Sequence, residues 1–251
     1  MATPTDHREA RRIATEAGEL LVRMRDAHPD PVSRRQALKD AGDAGSQVFI
    51  AAQLRDCFPD DAVLSEEAVD TDARLSADRV WIIDPVDGTR EFGEPPRDDW
   101  AVHVALWERG KELTAGAVAL PAMGLTLGTD EAPVLPAAVD GPPRIVVSRT
   151  RPPAQAERVR AALDGELLPM GSAGAKAMAV VRGVADAYVH AGGQYEWDSA
   201  APAVVALAAG LHVSRLDGSP LRYNRADPYL PDLIICRPEL AQRALDALAA
   251  A

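Results

Sequence analysis

The chain has 251 residues, 47% of them hydrophobic, and a formal net charge of −11 at pH 7. This acidic balance argues against a nucleic-acid polymer as a partner, because phosphate backbones attract basic surfaces. The two cysteines, Cys57 and Cys236, offer neither a disulfide framework nor a metal-type spacing. No apolar run is as long as a membrane span and no secretory signal is visible, so we expect a cytoplasmic protein without a membrane partner.

The first half of the chain predicts two helices followed by four strands. Apolar residues at helical spacing predict a helix over residues 6–25, with Asp6 and Glu9 placed as a capping box at its start. A second helix is predicted over residues 43–58. Gly110 indicates the turn of a hairpin between the last two strands. The predicted strands are 62–64, 80–83, 100–107 and 113–120.

The second half begins after a proline-rich segment. Residues 131–143 contain four prolines, which predicts a linker between an N-terminal α+β subdomain at 1–130 and a C-terminal α/β subdomain at 144–251. Strands interleaved with helices predict a layered α/β fold whose sheets are buried on both faces. The predicted strands are 145–147, 187–189 and 233–235, and the predicted helices are 153–163, 174–182, 199–209 and 238–250.

Acidic residues directly follow two of the predicted strands. Glu66 comes just after strand 62–64, and Asp84 follows strand 80–83 with Asp87 three residues further on. In α/β sheets, ligands gather outside the carboxyl ends of strands, and carboxylates placed there suit hard cations. An isolated pattern of this kind is more often a helix cap and an Asp-Gly turn.

A further carboxylate, Asp198, precedes the apolar helix predicted at 199–209. On its own it would be interpreted as the N-cap of that helix. Its presence beside the other acidic residues makes a shared metal site the stronger hypothesis.

Three motifs in this order resemble those of the inositol monophosphatase family. They are Ser65-Glu66-Glu67, Asp84-Pro85-Val86-Asp87-Gly88-Thr89 and Trp197-Asp198-Ser199-Ala200-Ala201. The resemblance covers nearly the whole chain and implies a layered α-β-α-β-α fold and a magnesium-dependent phosphomonoesterase. Magnesium would also supply the positive charge that an acidic chain needs in order to hold a phosphate.

The resemblance also implies roles for single residues. Glu66, Thr89 and Asp43 would be catalytic, with Thr89 orienting the water that magnesium activates and Asp43 as its partner. The implied ligands of two or three Mg²⁺ ions are Glu66, Asp84, the Val86 carbonyl, Asp87 and Asp198. The implied substrate contacts around the motifs are Asp87, Gly88, Thr89 and Asp198, with the amides of Gly88 and Thr89 cradling the phosphate.

One departure concerns Asp43. Family members commonly have threonine three residues before this position, where this chain has Asp40. The role of Asp43 and a family-like sensitivity to lithium therefore stay open.

Two segments resemble the 3′(2′),5′-bisphosphate nucleotidases of the CysQ group within this family. Arg90-Glu91-Phe92 resembles the Lys-Glu-Phe that follows the metal motif in that group. Residues 171–176 resemble a segment that lies by the substrate, which implies contacts from Gly171, Ser172 and Lys176. The alternative is a helix start whose glycines allow close packing.

Three other residues are candidates for substrate contacts. Ser148 and Arg149 lie in a basic run that could reach a second phosphate, since arginine suits bidentate contacts, although a solvated loop is the commoner outcome. Tyr195 would either stack on a base or sugar of the substrate or be packed in the protein interior. His190 is a weaker candidate for the substrate pocket.

The predicted function follows from these resemblances. The leading interpretation is a nucleotidase of sulfate assimilation that removes the 3′-phosphate from 3′-phosphoadenosine 5′-phosphate and from its sulfate ester. Phosphatases of inositol 1-phosphate or fructose 1,6-bisphosphate are the alternatives within the enzyme class. A catalytically idle metal or phosphate sensor is the alternative outside it, and the presence of every expected carboxylate favours the enzyme. The expected partner is a small phosphorylated substrate, and the family implies a homodimer as one assembly.

Overall fold

A computed structural model describes residues 2–27 and 35–250 of the chain. Its helices are α1 (Pro4–Asp26), α2 (Arg35–Cys57), α3 (Thr89–Phe92), α4 (Ala154–Leu163), α5 (Ala173–Val181), α6 (Glu196–Ala208) and α7 (Pro238–Ala249). Its strands are β1 (Ala62–Ser65), β2 (Arg79–Asp87), β3 (Ala101–Glu108), β4 (Glu112–Leu120), β5 (Leu125–Gly128), β6 (Arg144–Ser148), β7 (Glu166–Met170), β8 (Ala187–Tyr195), β9 (His212–Ser214) and β10 (Tyr229–Cys236).

The first sheet contains β1 to β5 in that order, with β1 parallel to β2 and the other neighbours antiparallel. α1 and α2 cover one face of this sheet, and α5 and α6 cover the other. Because side chains alternate along a strand, Trp81 and Ile83 of β2 join the cluster under α1 and α2. Val80 and Ile82 join the cluster on the opposite face. Both faces are therefore buried, as predicted.

The second sheet has the order β7-β6-β8-β10-β9, in which β7, β6 and β8 run parallel and β10 is antiparallel to β8 and β9. α5 and α6 pack on its inner face, and α4 and α7 cover its outer face. Small residues such as Ala200 and Ala203 let α6 lie between the two sheets within one shared core. The layers are α-β-α-β-α, which confirms the predicted fold.

Two predicted helix starts are wrong. The capping box of α1 is formed by Thr3 and Asp6: the Thr3 amide donates to Asp6 Oδ2 at 2.6 Å, and the Asp6 amide donates to Thr3 Oγ1 at 3.3 Å. Pro4 suits the first helical position, so the helix begins before Asp6. α2 already includes Arg35 and so does not begin near Asp43; its turns before Asp43 are largely polar and carry little apolar signal.

The middle of β8 and the start of α6 also differ from the prediction. β8 runs on from the predicted strand 187–189 to Tyr195 and includes Gly192 and Gly193, whose φ values are 85° and 81°. α6 begins at Glu196, three residues before the predicted start, so Asp198 is its third residue and not its N-cap.

The segment between the two sheets runs from the end of β5 at Gly128 to the start of β6 at Arg144. The division into subdomains 1–130 and 144–251 around a 131–143 linker stays a prediction. Within the described ranges, no helix is both long and apolar enough to cross a membrane.

Candidate active site

The metal-type motif lies at an irregularity in β2. Asp84 pairs with His103 of β3 and Asp87 pairs with Ala101, so three steps along β2 match two steps along β3. Pro85 lacks an N–H to continue the ladder, and such bulges redirect side chains near active sites. In a regular strand, residues three apart would face opposite sides. The bulge lets Asp84 and Asp87 share one side.

Three carboxylates converge at this point. Oxygens of Asp84, Asp87 and Asp198 all lie within 4.8 Å of one another. Asp84 and Asp87 come from the end of β2, while Asp198 comes from the first turn of α6, in the layer between the sheets. The Tyr195 amide donates to Asp198 Oδ2 at 2.7 Å and fixes its position.

Asp87 is held by the N-terminus of α5. Its Oδ1 accepts from the Ala173 amide at 3.1 Å, and its Oδ2 accepts from the Gly174 amide at 2.6 Å and from Ser172 Oγ. His103 Nε2 lies 3.2 Å from the same Oδ2. Burial would raise the pKa of Asp87, but His103 and these donors lower it to about 2. Asp87 is therefore ionised throughout the physiological range, and Oδ1 keeps a lone pair for another partner.

The pKa values of the other carboxylates are raised, in contrast to that of Asp87. Burial and repulsion from Glu66 and Asp87 raise the pKa of Asp84 well above its usual range. Burial and the charge of Asp87 raise the pKa of Asp198 to about 7. Glu66 lies at the exposed rim, yet partial burial of its carboxylate and repulsion from Asp198 raise its pKa to about 7.

This donor set fits a divalent cation with a preference for oxygen ligands. Asp84 is buried and, within the described residues, accepts one hydrogen bond, from the Val86 amide at 3.0 Å. Among the described residues, no lysine or arginine forms an ion pair with Asp84 or Asp198. Buried carboxylates without a counter-charge are costly, and Mg²⁺ would neutralise them. Glu66 is not one of the three converging carboxylates, although its charge and those of Asp198 and Asp87 repel each other; Glu66 and the Val86 carbonyl stay predicted ligands.

The predicted pair of Thr89 and Asp43 is in contact. Thr89 Oγ1 lies 3.3 Å from Asp43 Oδ1 and 3.1 Å from the Val86 carbonyl, both acceptors for its one hydrogen. Burial and repulsion from Glu67 raise the pKa of Asp43 to about 6. Asp40, at the position where the family has threonine, is exposed and accepts a hydrogen bond from Gln36 at 2.6 Å.

α2 holds both acidic segments through residues that sequence reasoning missed. Ser46 Oγ donates to the Pro85 carbonyl at 2.8 Å, inside the metal-type motif. Gln47 Oε1 accepts from Ser65 Oγ at 2.6 Å, next to Glu66. Their only sequence signal is proximity to Asp43 on the same helix. His103 was also missed, since a histidine inside a strand is usually a packing residue.

A cavity of about 240 Å³ opens beside the carboxylates. Most of the residues predicted to contact the substrate line it: Asp87, Gly88, Ser148, Arg149, Gly171, Ser172, Lys176 and Asp198. Arg90, Arg151, His190 and Gln194 line it as well. Lys176 Nζ donates to the carbonyls of Gly171, at 3.0 Å, and Ser172, which uses two of its three hydrogens. Burial lowers the pKa of Lys176 to about 8, so it is mostly charged at neutral pH.

Two predicted substrate contacts are engaged elsewhere. The Tyr195 ring stacks on Trp197 with centroids 4.9 Å apart, is 42% exposed and does not line the cavity, so it is not packed in the interior and its contact with a substrate stays a prediction. Arg149 lines the cavity, but its guanidinium donates to Glu91 at 2.7 Å and to Glu94 at 3.0 Å.

Solved structures share this fold and its layers. Inositol monophosphatase-II from Staphylococcus aureus has a TM-score of 0.82 at 20% identity, over 99% of this chain and 97% of that one. CysQ from Bacteroides thetaiotaomicron, a bacterial member of the inositol monophosphatase family, has a TM-score of 0.79 at 26% identity, over 93% of this chain and 97% of that one.

The sequence matches the model of the inositol monophosphatase family over residues 8–251. The chain therefore belongs to the inositol monophosphatase family. The 3′-phosphoadenosine 5′-phosphate phosphatase of Mycobacterium bovis is 55% identical over 241 residues, which cover 93% of this chain and 90% of that protein. The 3′(2′),5′-bisphosphate nucleotidase CysQ of Escherichia coli O157:H7 is 30% identical over 232 residues, or 87% and 94% of the two chains.

Proposed function

We propose that the chain is a magnesium-dependent phosphatase that removes the 3′-phosphate of 3′-phosphoadenosine 5′-phosphate and of its sulfate ester. The observation that carries this proposal is a single cavity with a carboxylate cluster and a separate set of cations. A divalent ion at the carboxylates would hold the phosphate that is cleaved, and the cations would hold the second. The name of the Mycobacterium bovis relative supports the same substrate.

The cations best placed for the second phosphate are Arg90, Arg151 and Lys176. Within the described ranges, Arg90, Arg151 and Lys176 form no ion pair; Lys176 donates to two carbonyl oxygens and lies 5.3 Å from the centroid of the Tyr188 ring. Their positive charges are therefore free to bind an anion. A substrate with one phosphate would leave them unsatisfied, which favours a bisphosphate over inositol 1-phosphate.

In the proposed mechanism, Asp84, Asp87, Asp198 and Glu66 would hold magnesium, which supplies charge neutralisation and acidifies a bound water. The Thr89 hydroxyl donates its one hydrogen to Asp43 or to the Val86 carbonyl. A lone pair of Thr89 Oγ1 stays free to accept from the attacking water and orient it. The Gly88 and Thr89 amides would contact the phosphate. The proposed site holds two or three Mg²⁺ ions.

The test is a phosphate-release assay with Mg²⁺ on four substrates. They are 3′-phosphoadenosine 5′-phosphate, adenosine 3′-phosphate, inositol 1-phosphate and fructose 1,6-bisphosphate. We expect kcat/KM to be highest for the first, by about tenfold or more over adenosine 3′-phosphate, because the second phosphate adds at least one charge-assisted contact. A preference for inositol 1-phosphate would overturn the substrate assignment.

A further inference from the structure

Arg149 connects the two sheets at the edge of the cavity. Its Nε donates to Glu91 Oε1 at 2.7 Å, and its Nη2 donates to Glu94 Oε2 at 3.0 Å. Arg149 follows β6 of the second sheet, whereas Glu91 belongs to α3, directly after the metal-type motif of the first. Glu91 is only 6% exposed, so this ion pair is partly desolvated and stronger than a surface pair.

The backbone at this junction is also closely packed. A Cβ atom on Gly171 would lie 2.3 Å from Glu91 Cγ, so only glycine allows the two segments to approach this closely. The Gly171 amide donates to Asp99 Oδ2 at 2.6 Å. The loop before α5 and the segment around α3 are therefore fixed against each other, with Glu91 at the centre.

The charge around Arg149 does not suit a phosphate. One guanidinium between two carboxylates leaves a local excess of negative charge, which repels an anion. Arg151, two residues further on, lines the same cavity and has no ion-pair partner within the described part of the chain. The charge of Arg149 is therefore neutralised by its carboxylate partners, whereas the charge of Arg151 is available to bind an anion.

We propose that Arg149 is a positioning residue and not a phosphate ligand. Through Glu91 it holds α3, which begins with Thr89 directly after the metal-type motif, in place against the second sheet. It therefore positions the groups that act on the cleaved phosphate, whichever substrate carries that phosphate. The proposal rests on the proposed function, because it assumes that this site cleaves phosphate esters.

The consequence is a specific kinetic signature for Arg149→Met. The substitution leaves Glu91 buried without a partner and loosens α3 against the second sheet. Cleavage of any phosphate ester then suffers, since misplacing the reacting groups by about 1 Å can cost about a hundredfold in rate. A lost phosphate ligand would instead affect only substrates that carry the second phosphate.

The experiment compares kcat and KM for 3′-phosphoadenosine 5′-phosphate and adenosine 3′-phosphate. For Arg149→Met we expect kcat to fall about 10- to 100-fold on both substrates, with the ratio of their kcat/KM values unchanged within about twofold. Arg151→Met should instead lower that ratio. Arg8 is exposed on α1, so Arg8→Met should change neither kcat nor this ratio. A selective loss on the bisphosphate with Arg149→Met, or no loss on either substrate, would overturn the proposal.

A double-mutant cycle with Glu91→Gln separates positioning from an independent role of Arg149. If Arg149 acts through Glu91, the double variant should lose no more activity than the worse single variant. If the activity losses of the two single variants multiply in the double variant, the proposal is contradicted. An unchanged ratio with Arg151→Met would overturn the second-phosphate part of the proposed function and leave the Arg149 result standing.

Discussion

Asp84 lowers the stability of the metal-free protein. Asp84 is buried beside Asp87 and Asp198 and has one hydrogen bond from an amide. Its pKa is raised because its charge is poorly compensated. A carboxylate that the proposed metal site requires thus lowers the stability of the protein when no metal is bound.

Asp84→Asn should therefore separate activity from stability. We expect magnesium-dependent phosphate release to fall about a thousandfold, because a proposed ligand of the ion is lost. We also expect the Tm of the metal-free protein to rise by roughly 5 °C, because the buried repulsion is removed. Calorimetry in EDTA and the phosphate-release assay measure the two effects. Asp60→Asn, at an exposed position, is the control. A lower Tm for Asp84→Asn would contradict this account.

The hydroxyl of Thr89 is expected to matter for rate and not for substrate affinity. Thr89→Val keeps the shape but removes the donor to Asp43 and the acceptor for water, so kcat should fall about a hundredfold with little change in KM. Thr89→Ser should retain most of the activity. A loss that appears mainly in KM would show that Thr89 binds the substrate and does not orient water.

The same contact predicts a pH dependence. The pKa of Asp43 is raised to about 6, so below that pH its carboxyl group is protonated, accepts more weakly from Thr89 and can itself donate a hydrogen bond. We expect kcat to rise with pH through about 6, and Asp43→Asn to flatten this rise. A pH–rate profile at saturating Mg²⁺ is the measurement, and an unchanged acidic limb in Asp43→Asn would exclude Asp43 as its source.

At the scale of elements, the close approach of α5 to β2 forms the site. The first amides of α5 donate to Asp87, and Gly174 leaves room for that contact: a Cβ atom there would lie 2.1 Å from His103 Nε2 and 3.1 Å from Asp87 Oδ2. The helix N-terminus and the carboxylate therefore require a glycine between them.

Gly174→Ala should displace α5 from Asp87. We expect a loss of activity of at least about a hundredfold and a lower Tm, since the new methyl group has no space and the neighbours are buried. Gly45→Ala is the matched control, because its Cβ would meet only the flexible end of Met24 at 3.2 Å and alanine favours the helix. Equal effects of the two substitutions would contradict this interpretation.

Elements with a strong apolar pattern were predictable from the sequence, and weakly patterned ones were not. The buried strand around Trp81 and the hairpin at Gly110 were predicted because apolar runs and turn glycines are local signals. β5, β7 and β9 were missed since they are short and only partly buried. The motif residues were found by resemblance, whereas Ser46 and His103 act through contacts between distant segments that no local pattern reports.

For the whole molecule, the carboxylate cluster couples the stability of the fold to pH. The pKa values of Glu66 and Asp198 rise from ordinary values of 4.5 and 3.8 to about 7 in the folded protein. The folded state therefore binds more protons than the unfolded state between about pH 4 and 7, and stability from these groups falls as pH rises through that window.

Magnesium should oppose this loss because it binds the ionised carboxylates. We expect saturating Mg²⁺ to raise the Tm by about 5 °C at pH 8 and by much less at pH 5. Thermal melts with Mg²⁺ or EDTA across this range measure the difference. Asp84→Asn should reduce the difference, and a stabilisation that is equal at both pH values would contradict the coupling.

Because α6 lies between the two sheets, the carboxylate site is complete only when this helix has docked. Asp84 and Asp87 belong to the first sheet, while Asp198 and the amides that hold Asp87 belong to the helices sandwiched in the centre. Neither group forms a three-carboxylate site alone. High-affinity magnesium binding should therefore appear during refolding only when the central helices have docked, so the ion can serve as a reporter of that late step.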